Sequence, residues 1–536
     1  MTNLSDAILA NAVGALNKGD FRQAEASFKQ FLSAVPNHFG ALNLLSVVLV
    51  SMGRFEEAEP YIAKAVALDG RSESSFYNYG IILKKLGRPA EALAQFDRAL
   101  AINPRNVKAW SNRGSCLNDL EQYGRALADF DRAIALNPRY FEAHYNKGNA
   151  LSALDRPESA CAAFDAALAI NPASPEAHNN RAMALQELGR IDEAMTGYDK
   201  AIALKPGYVD GYWNRSLLYL FTGDFEKGWR DYEWRNLREQ TRPRVLPKRL
   251  WTGGEPISGK TLLVHAEQGL GDTIHFCRYV RLACDAGARV IFAPQKRLQA
   301  LMRTLGGRFE IAEADDETPE FDFHCPLLSL PRAFGTTLET IPGETPYLAA
   351  QPDRVARWAE RIGGHGFKIG VCWQGRVGAA DVGRSFPLAQ FFEILRIPQV
   401  RLISLQKGEG LSQVKDLPAG MRLETLGDAF DSENDAFLDS AAVMKSCDLV
   451  ISADTSVAHL AGALAVPTWV ALKRAPDWRW MLERADSPWY PTMQLFRQSV
   501  RGDWGGVFAD MKTALQSLLD ERAGYGATAT PAQEAR

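Results

Sequence analysis

The 536-residue sequence lacks the features that mark several classes of protein. Its seven cysteines are odd in number and include no Cys-x-x-Cys pair, which favours reduced structural thiols in a cytoplasmic protein. No apolar run approaches the ~20 residues of a membrane span. The first residues have neither the basic nor the apolar region of a signal peptide. A net charge of −3 gives no electrostatic case for binding nucleic acid. We therefore expect a cytoplasmic protein with no membrane span and no nucleic-acid partner.

The first half contains a 34-residue period. Proline recurs in register, with Gly70 in the one slot that lacks it, at Pro36, Pro104, Pro138, Pro172 and Pro206. Each of these prolines would stop the helix before it. Small residues stand at 80, 114, 148 and 182, and aromatic residues at 96, 130, 164 and 198. We expect the small residues to let two antiparallel helices approach, and the aromatic ring to fill the gap to the neighbouring unit.

This period resembles that of tetratricopeptide repeats, which are helix–turn–helix units that stack into a superhelix. About six repeats occupy residues 3–206, and a degenerate seventh ends in Gly228-Trp-Arg-Asp-Tyr-Glu-Trp-Arg235. The resemblance implies an all-α interaction scaffold over residues 3–240.

The second half alternates short apolar runs with helical stretches, which predicts parallel sheets with crossover helices. Strands are predicted over 261–265, 289–293, 368–373, 400–405 and 448–453, and helices over 388–396 and from near Thr273 and Ser456. Two such units predict two facing Rossmann-like domains. Their predicted bounds are 260–350 and 351–520, with a linker over 241–259 and a disordered tail over 521–536. Ligands bind at the carboxyl ends of such strands, so we expect the site there.

Two predicted strand-to-helix turns carry polar residues. Gly271 and Asp272 follow the first strand, where glycine permits close backbone approach and the helix start offers free N–H groups. Asp272 is either a helix cap or a general base, and the two roles are compatible. The second turn holds Asp454, Thr455, Ser456 and His459. It suits either the gripping of phosphate oxygens or a structural cap with a core histidine.

Two cations also lie on loops after strands of the second domain. Arg384 and Lys407 are candidates for neutralising a diphosphate, although either alone is more often an ordinary surface charge. The aromatic cluster formed by 477–480 and 489–491 favours a domain clasp over a ligand platform. No spacing of histidine, cysteine and aspartate is typical of a metal site.

These turns resemble the motifs of the lipopolysaccharide heptosyltransferase family. Gly271-Asp-Thr-Ile-His275 resembles its Gly-Asp-x-x-His segment, and Asp454-Thr-Ser-Val-Ala-His-Leu-Ala461 is similar to its Asp-Thr-Gly-x-x-His-Leu-Ala motif, with Ser456 in place of glycine. The resemblance implies a tetratricopeptide superhelix followed by an α/β glycosyltransferase of the metal-independent GT-B type, without a cofactor. It implies catalytic roles for Asp272 and His275. The implied donor-binding residues are Gly271, Arg384, Lys407, Asp454, Thr455, Ser456 and His459.

Repeats followed by such a domain also resemble, more distantly, O-GlcNAc transferase and bacterial flagellin glycosyltransferases, in which the superhelix recruits a polypeptide. Asparagine recurs once per repeat, at Asn78, Asn112, Asn146, Asn180 and Asn214. Asparagine is a mediocre helix former, so this ladder favours either acceptor binding, as in O-GlcNAc transferase, or a habit of the repeat family. The resemblance implies transfer from a nucleotide sugar to a serine or threonine of a protein such as flagellin. Two alternatives stay open: a non-catalytic scaffold with a degenerate transferase domain, and a transferase for a lipid-linked or oligosaccharide acceptor.

Overall fold

The computed structural model describes residues 2–238, 246–312, 320–376, 383–432 and 436–528. Its packing divides the chain into two compact units, Met1–Leu185 and Gln186–Arg536. Helices are the regular elements of the first unit, and the second combines helices with two sheets. None of the helices in the described ranges is long and apolar enough to cross a membrane.

Successive helices of the first unit pack as antiparallel pairs. They are α1 Thr2–Asn17, α2 Phe21–Ala34, α3 Phe39–Ser51, α4 Phe55–Leu68, α5 Glu73–Lys85, α6 Pro89–Ile102, α7 Val107–Asp119, α8 Tyr123–Leu136, α9 Phe141–Ala153, α10 Pro157–Ile170 and α11 Pro175–Glu187, the last of which crosses the division between the units. Helices α2, α6, α8 and α10 each end two residues before one of the predicted prolines. The reason is that proline lacks an N–H and disfavours helical geometry in the residue before it.

In three helix pairs the small residue contacts the aromatic ring of its own pair, whereas the ring was expected to fill the gap to the neighbouring unit. A Cβ atom added at Gly80, Gly114 or Gly148 would lie 2.5–2.7 Å from the ring of the phenylalanine sixteen residues later. Those rings, of Phe96, Phe130 and Phe164, are fully buried. Glycine therefore sets how closely the two helices of a pair approach.

The second unit begins with the remaining repeat-like helices. They are α12 Ile191–Leu204, α13 Val209–Thr222 and α14 Phe225–Tyr232, followed by a 3₁₀ turn over Glu233–Leu237. The indole Nε1 of Trp229 in α14 donates to the carbonyl of Thr336 in the α/β region at 3.1 Å. Packing therefore places these helices in one compact unit with the sheets, although they fall within the predicted 3–240 scaffold.

The first sheet has the order β1-β5-β2-β3-β4, with every neighbouring pair parallel. Its strands are β1 Arg249–Leu250, β2 Thr261–His265, β3 Arg289–Ala293, β4 Phe309–Ile311 and β5 Phe323–Pro326. Its helices are α15 Leu270–Phe276, α16 Arg278–Asp285, α17 Gln299–Met302 and α18 Leu330–Ala333. Strand β1 lies in the predicted linker over 241–259, so part of that linker is an edge strand. Residues 241–245 lie outside the described residues.

The second sheet has the order β11-β12-β10-β9-β6-β7-β8, and only the β11–β12 pair among its described pairs is antiparallel. Its strands are β6 Phe367–Cys372, β7 Val400–Ser404, β8 Leu423–Glu424, β9 Leu449–Ala453, β10 Thr468–Leu472, β11 Asp486–Ser487 and β12 Tyr490–Arg497. Its helices are α19 Pro352–Ile362, α20 Phe392–Leu395, α21 Leu438–Met444, α22 Ser456–Ala463 and α23 Trp504–Thr528. The helix predicted over 388–396 is a 3₁₀ turn over Leu388–Phe391 followed by α20.

The prediction of a disordered tail over 521–536 is wrong for residues 521–528, which are the last turns of α23. Leu515 and Leu519 are buried in the core of the second sheet, and a helix anchored in this way propagates readily along the chain. Arg522 extends the anchor, since its Nη1 lies 2.8 Å from Asp448 Oδ1 and its guanidinium lies over the ring of Phe367. Residues 529–536 lie outside the described residues.

We predict opposite stability changes for two alanine substitutions in the first unit. In Gly114→Ala the added Cβ meets the Phe130 ring, and overpacking of this kind costs about 1–3 kcal/mol. The matched control is Gly124→Ala in α8, where nothing lies within 4 Å of an added Cβ; it should gain about 0.5–1 kcal/mol, because alanine is the better helix former. Urea denaturation measures both free energies of unfolding. Equal stabilities for the two variants would contradict the packing described above.

Candidate functional site

Two helix N-termini meet between the two sheets. Helix α15 begins at Leu270 after β2, and α22 begins at Ser456 after β9. A Cβ atom added at Gly271 would lie 3.3 Å from Ser456 Cβ and 3.5 Å from His459 Cδ2. The two helices approach this closely because residue 271 has no side chain. The two predicted turns therefore form one junction, with Thr455 capping α22 through a bond from Val457 N to its Oγ1 at 3.3 Å.

Five charged side chains form a chain of alternating sign across this junction, called here the charge chain. Asp272 Oδ1 accepts from Arg479 Nη2 at 2.5 Å, and Arg479 Nη1 donates to Asp477 Oδ1 at 2.9 Å. Asp477 Oδ2 lies 3.4 Å from Arg384 Nη2, which lies 2.8 Å from Asp454 Oδ2. The charge chain joins Asp272, Arg384 and Asp454, which the sequence predicted as site residues, through two residues that it assigned only to the aromatic clasp.

Asp272 is both a cap and an ion-pair partner. Its Oδ2 accepts from the backbone N–H of Gly269 at 3.0 Å, and its other oxygen bonds to Arg479. The side chain is 24% exposed, so it remains accessible to a ligand. Burial raises the pKa of this carboxyl above its ordinary range, while Arg479 opposes the rise and Asp477 adds to it. A raised pKa with partial access suits a group that accepts a proton.

The two predicted histidines lie inside an aromatic cluster, on either side of one tyrosine. Tyr490 OH lies 2.8 Å from His275 Nδ1 and 3.1 Å from His459 Nδ1. The ring of His275 packs against Trp489, and the ring of His459 stacks on Trp480. Both histidines are buried. Because α15 carries His275 and β12 carries Tyr490, this cluster joins the two sheets as the clasp that the sequence favoured.

Burial keeps both histidines neutral. It lowers the pKa of each imidazole well below the usual value, and nearby arginines lower it further, chiefly Arg278 for His275 and Arg479 for His459. Neither histidine lies among the residues that line the cavity described next. The structure therefore places His275, for which a catalytic role was predicted, in the packed interior next to Asp272.

A cavity of about 360 Å³ lies beside the junction. It is lined by the loops that follow β6, β7 and β9 and by Leu270 at the start of α15. Its charged lining residues are the cations Arg297, Arg376 and Lys407 and the acids Glu409 and Asp431. Lys407 is held in place because its Nζ donates to the carbonyl oxygens of Phe430, at 2.8 Å, and Asp431. Of the predicted donor residues, Lys407, Thr455 and Ser456 line this cavity, whereas Asp454 and Arg384 belong to the charge chain and are not among its lining residues.

The loops around the cavity are fixed by Gln406, a residue that the sequence analysis missed. Its Oε1 accepts from the backbone N–H groups of Trp373 and Gln374, each at 3.0 Å. Its Nε2 donates to the carbonyls of Gln374 at 2.7 Å and Glu409 at 2.8 Å. The signal that could have identified it is that a polar residue directly follows the predicted strand over 400–405, next to Lys407. Arg297 and Arg376 carried no comparable motif.

The asparagine ladder already makes bonds within the first unit. Asn112 Nδ2 donates to Tyr77 OH at 3.2 Å, and Asn180 Nδ2 donates to Tyr145 OH at 3.0 Å. Asn78 and Asn146 occupy the same register, and all four residues are half-buried. Asn214 belongs to the second unit. The repeated amide thus has a structural partner in two repeats.

Within the described ranges, no group of three or more histidine, cysteine, aspartate or glutamate side chains could hold a metal ion. The charge chain alternates carboxylates with arginines, so its three aspartates are held by guanidinium groups.

We predict that the stability of the second unit falls in acid because of its clasp histidines. An unfolded histidine has a pKa of about 6.5, so the folded state, whose imidazoles have lower pKa values, binds fewer protons. The free energy of unfolding is therefore highest above a pH of about 6.5, the pKa of the unfolded imidazole. Below that pH it decreases by about 1.4 kcal/mol per pH unit for each histidine. His459→Gln should remove one such contribution and so lower the dependence of stability on pH. The measurement is the free energy of unfolding between pH 5 and 7.5. An unchanged slope in His459→Gln would refute this assignment.

Comparison with known proteins identifies the repeats. A family model described as a tetratricopeptide repeat matches residues 9–73, 77–141, 119–175 and 145–209. Protein FlbA of Caulobacter vibrioides is 27% identical over 325 residues, which are 56% of this chain and 54% of that protein. The chain thus spans about half the length of the curated relative that it matches.

Solved structures are similar to the chain over a smaller part of its length. A tetratricopeptide repeat protein from Parabacteroides merdae is 20% identical, with 43% of this chain and 91% of that chain covered and a TM-score of 0.38. YrrB, described as a TPR protein with an unusual peptide-binding site, is 24% identical, with coverages of 34% and 95% and a TM-score of 0.30. MamA is 23% identical, with coverages of 32% and 94% and a TM-score of 0.31. By the family match, the chain contains tetratricopeptide repeats within residues 9–209, a module of protein–protein interaction.

Proposed function

We propose that this chain is a metal-independent glycosyltransferase of the GT-B type, which moves a sugar from a nucleotide-sugar donor to a hydroxyl of a protein recruited by the repeats. The observation that carries the proposal is the cavity beside the junction. It lies at the carboxyl ends of parallel strands, where α/β sheets bind ligands. Its volume of about 360 Å³ is in the range of small-molecule sites. Three cations, two carboxylates and the start of α22 line it, so positive groups outnumber negative ones and an anionic ligand fits its charge.

The cavity residues would act on the leaving group. A diphosphate beside Lys407, Arg376 and the start of α22 would meet two positive charges and the positive end of a helix. These groups are preorganised, because Lys407 and the Gln406 loops are held by hydrogen bonds. Negative charge grows on the phosphate as the bond to the sugar breaks, and fixed positive groups stabilise it most at that point.

Asp272 would receive the proton of the acceptor. In the net reaction the acceptor hydroxyl gives its proton to the carboxylate, and its oxygen forms a bond to the anomeric carbon. The bond between that carbon and the phosphate oxygen breaks, and its electron pair leaves with the nucleoside phosphate. Asp272 lies two residues from Leu270, which lines the cavity, and its side chain is partly exposed. The proposal that the acceptor is flagellin or another surface protein rests on the resemblance to flagellin glycosyltransferases.

One observation favours the alternative of a nucleotide-binding scaffold without turnover. Both oxygens of Asp272 are already engaged, one with Arg479 and one with the Gly269 amide. A base must release or share one of these bonds when the acceptor hydroxyl arrives. Measurement of turnover separates the two functions, because donor binding alone fits both.

We predict that Arg376→Ala weakens donor binding. A screen of nucleotide sugars by thermal shift finds the donor first, since a ligand of the native state raises its melting temperature. Loss of one charged hydrogen bond costs about 1.5–3 kcal/mol, so calorimetry should show Kd raised about 10- to 150-fold. Arg396→Ala is the control, because Arg396 pairs with Glu393 on the surface, outside the cavity. Equal donor affinity in Arg376→Ala and wild type would show that the donor does not bind in this cavity.

We predict that Asp272→Asn loses turnover and keeps donor affinity. The amide retains the shape and an oxygen for the Gly269 N–H, but it accepts no proton. The rate of sugar transfer by the variant should fall about 10²–10⁴-fold, the usual contribution of general base catalysis. The rate of the wild type should not change when EDTA is added. Steady-state sugar transfer and calorimetry check the two parts. Wild-type rates in the variant, or a strict requirement for Mg²⁺ or Mn²⁺, would contradict the mechanism.

A further inference from the structure

Arg479 lies in the middle of one half of the charge chain, between Asp272 and Asp477. It is 8% exposed and lies on the 3₁₀ turn Trp478–Trp480. Its guanidinium donates to Asp272 and Asp477 and lies 4.5 Å from the ring centroid of Trp478 and 5.5 Å from that of Phe276. Two carboxylates and two aromatic rings therefore contact the guanidinium. Its contact with Asp272 joins residues 207 positions apart in the sequence.

We propose that Arg479 is a positioning residue for sugar transfer: it holds the Asp272 carboxylate in one orientation and keeps it ionised, ready to accept the proton of the acceptor. This inference rests on the function proposed above and adds a residue that no motif contains. The Gly269 N–H holds one oxygen of Asp272 and Arg479 holds the other, so the plane of the carboxylate is fixed. A base that is oriented before the acceptor binds loses less entropy in the reaction.

The end of the repeats supports both members of this ion pair. The ring of Trp478, next to Arg479, packs against Trp229 and Tyr232 of α14, with centroids 5.4 and 6.3 Å apart. Arg235, just after α14, is fully buried and donates to Glu267 Oε1 at 2.7 Å. Glu267 lies in the loop between β2 and α15, the helix that carries Asp272. The last helices before the sheets therefore hold the turn of Arg479 and the loop of Asp272 at fixed positions.

The ionisation of Asp272 depends on the groups that face it from each neighbouring element. Arg479 and Arg384 favour the carboxylate, Asp477 opposes it, and the phenol of Tyr232 faces it from α14. Arg479 is the cation in direct contact. An opposite charge at such a distance lowers the pKa of a carboxyl by about 1–3 units. Without Arg479, a half-buried carboxyl beside Asp477 would hold its proton at higher pH and would no longer act as a base near neutrality.

The test compares Arg479→Gln, Arg479→Lys and the control Arg484→Gln in the full chain. Arg484 lies on the same segment, in a pair with the exposed Asp486. The readouts are kcat and KM for sugar transfer across pH, together with donor affinity and melting temperature. In Arg479→Gln we expect the acid limb of kcat/KM to move up by about 1–3 pH units and donor affinity to stay within about twofold of wild type. Arg479→Lys, which keeps the charge but not the planar fork, should lie between Arg479→Gln and wild type. Arg484→Gln should match wild type.

An Arg479→Gln variant that melts earlier but keeps the wild-type acid limb would overturn the proposal and leave Arg479 a structural role. If Arg479→Gln does not fold, Arg479→Lys decides, because it keeps the charge but not the planar fork. A kcat and an acid limb equal to those of wild type in Arg479→Lys would overturn the proposal. A wild-type chain that binds a nucleotide sugar but transfers no sugar would refute the proposed function itself, and the positioning role would fall with it. If the wild type transfers sugar and the acid limb of Arg479→Gln matches that of the wild type, only the role of Arg479 is refuted.

Discussion

Close approach of two helix N-termini is the constraint on which the site depends. Gly271 allows α15 and α22 to touch, and each helix start carries partial positive charge from its free N–H groups. Arg479 and Arg384 add two full positive charges nearby. Three aspartates balance this charge, at 272, 477 and 454, and each contacts at least one arginine. Each carboxylate of the junction therefore has an arginine partner, and each arginine contacts two carboxylates.

The apolar surroundings of the junction make an unpaired charge there costly. The aromatic residues Trp478, Trp480, Trp489 and Tyr490 are buried, and the two clasp histidines are kept neutral. Breaking a buried ion pair from one side costs about 3–5 kcal/mol, because the remaining charge is left without a partner. The same rigidity benefits a transferase, since it holds Asp272 and the cavity cations in place before substrates bind. The same fixed ion pairs in an apolar surrounding thus account for both the energetic cost of the buried charges and the proposed function of the site.

Much of the fold follows from local patterns, and those parts were predicted closely. The prolines that follow the helices and the glycines that face aromatic rings recur every 34 residues, so the repeats were readable from their period. Strands β2 and β3 match the predicted 261–265 and 289–293, because buried parallel strands are short apolar runs. The edge strand β1 was missed because two residues carry no periodic signal.

The site was predicted only where motifs mark it. Asp272, Arg384 and Asp454 do lie together, since each follows a parallel strand and such strands end at one edge. Arg479 and Asp477 were missed as site residues because their contacts are tertiary and lie in a segment dominated by tryptophan. His275 illustrates the converse: its motif position implied chemistry, and its surroundings are those of a core residue.

Hydrogen exchange of the full chain, with and without a saturating nucleotide sugar, tests the central claim most directly. Backbone amides that become less accessible when a ligand binds exchange more slowly. The account predicts slower exchange in the three loops that line the cavity, over 373–376, 405–409 and 455–458. A donor that binds to saturation while these loops exchange at their original rates would show that the cavity is not the donor site.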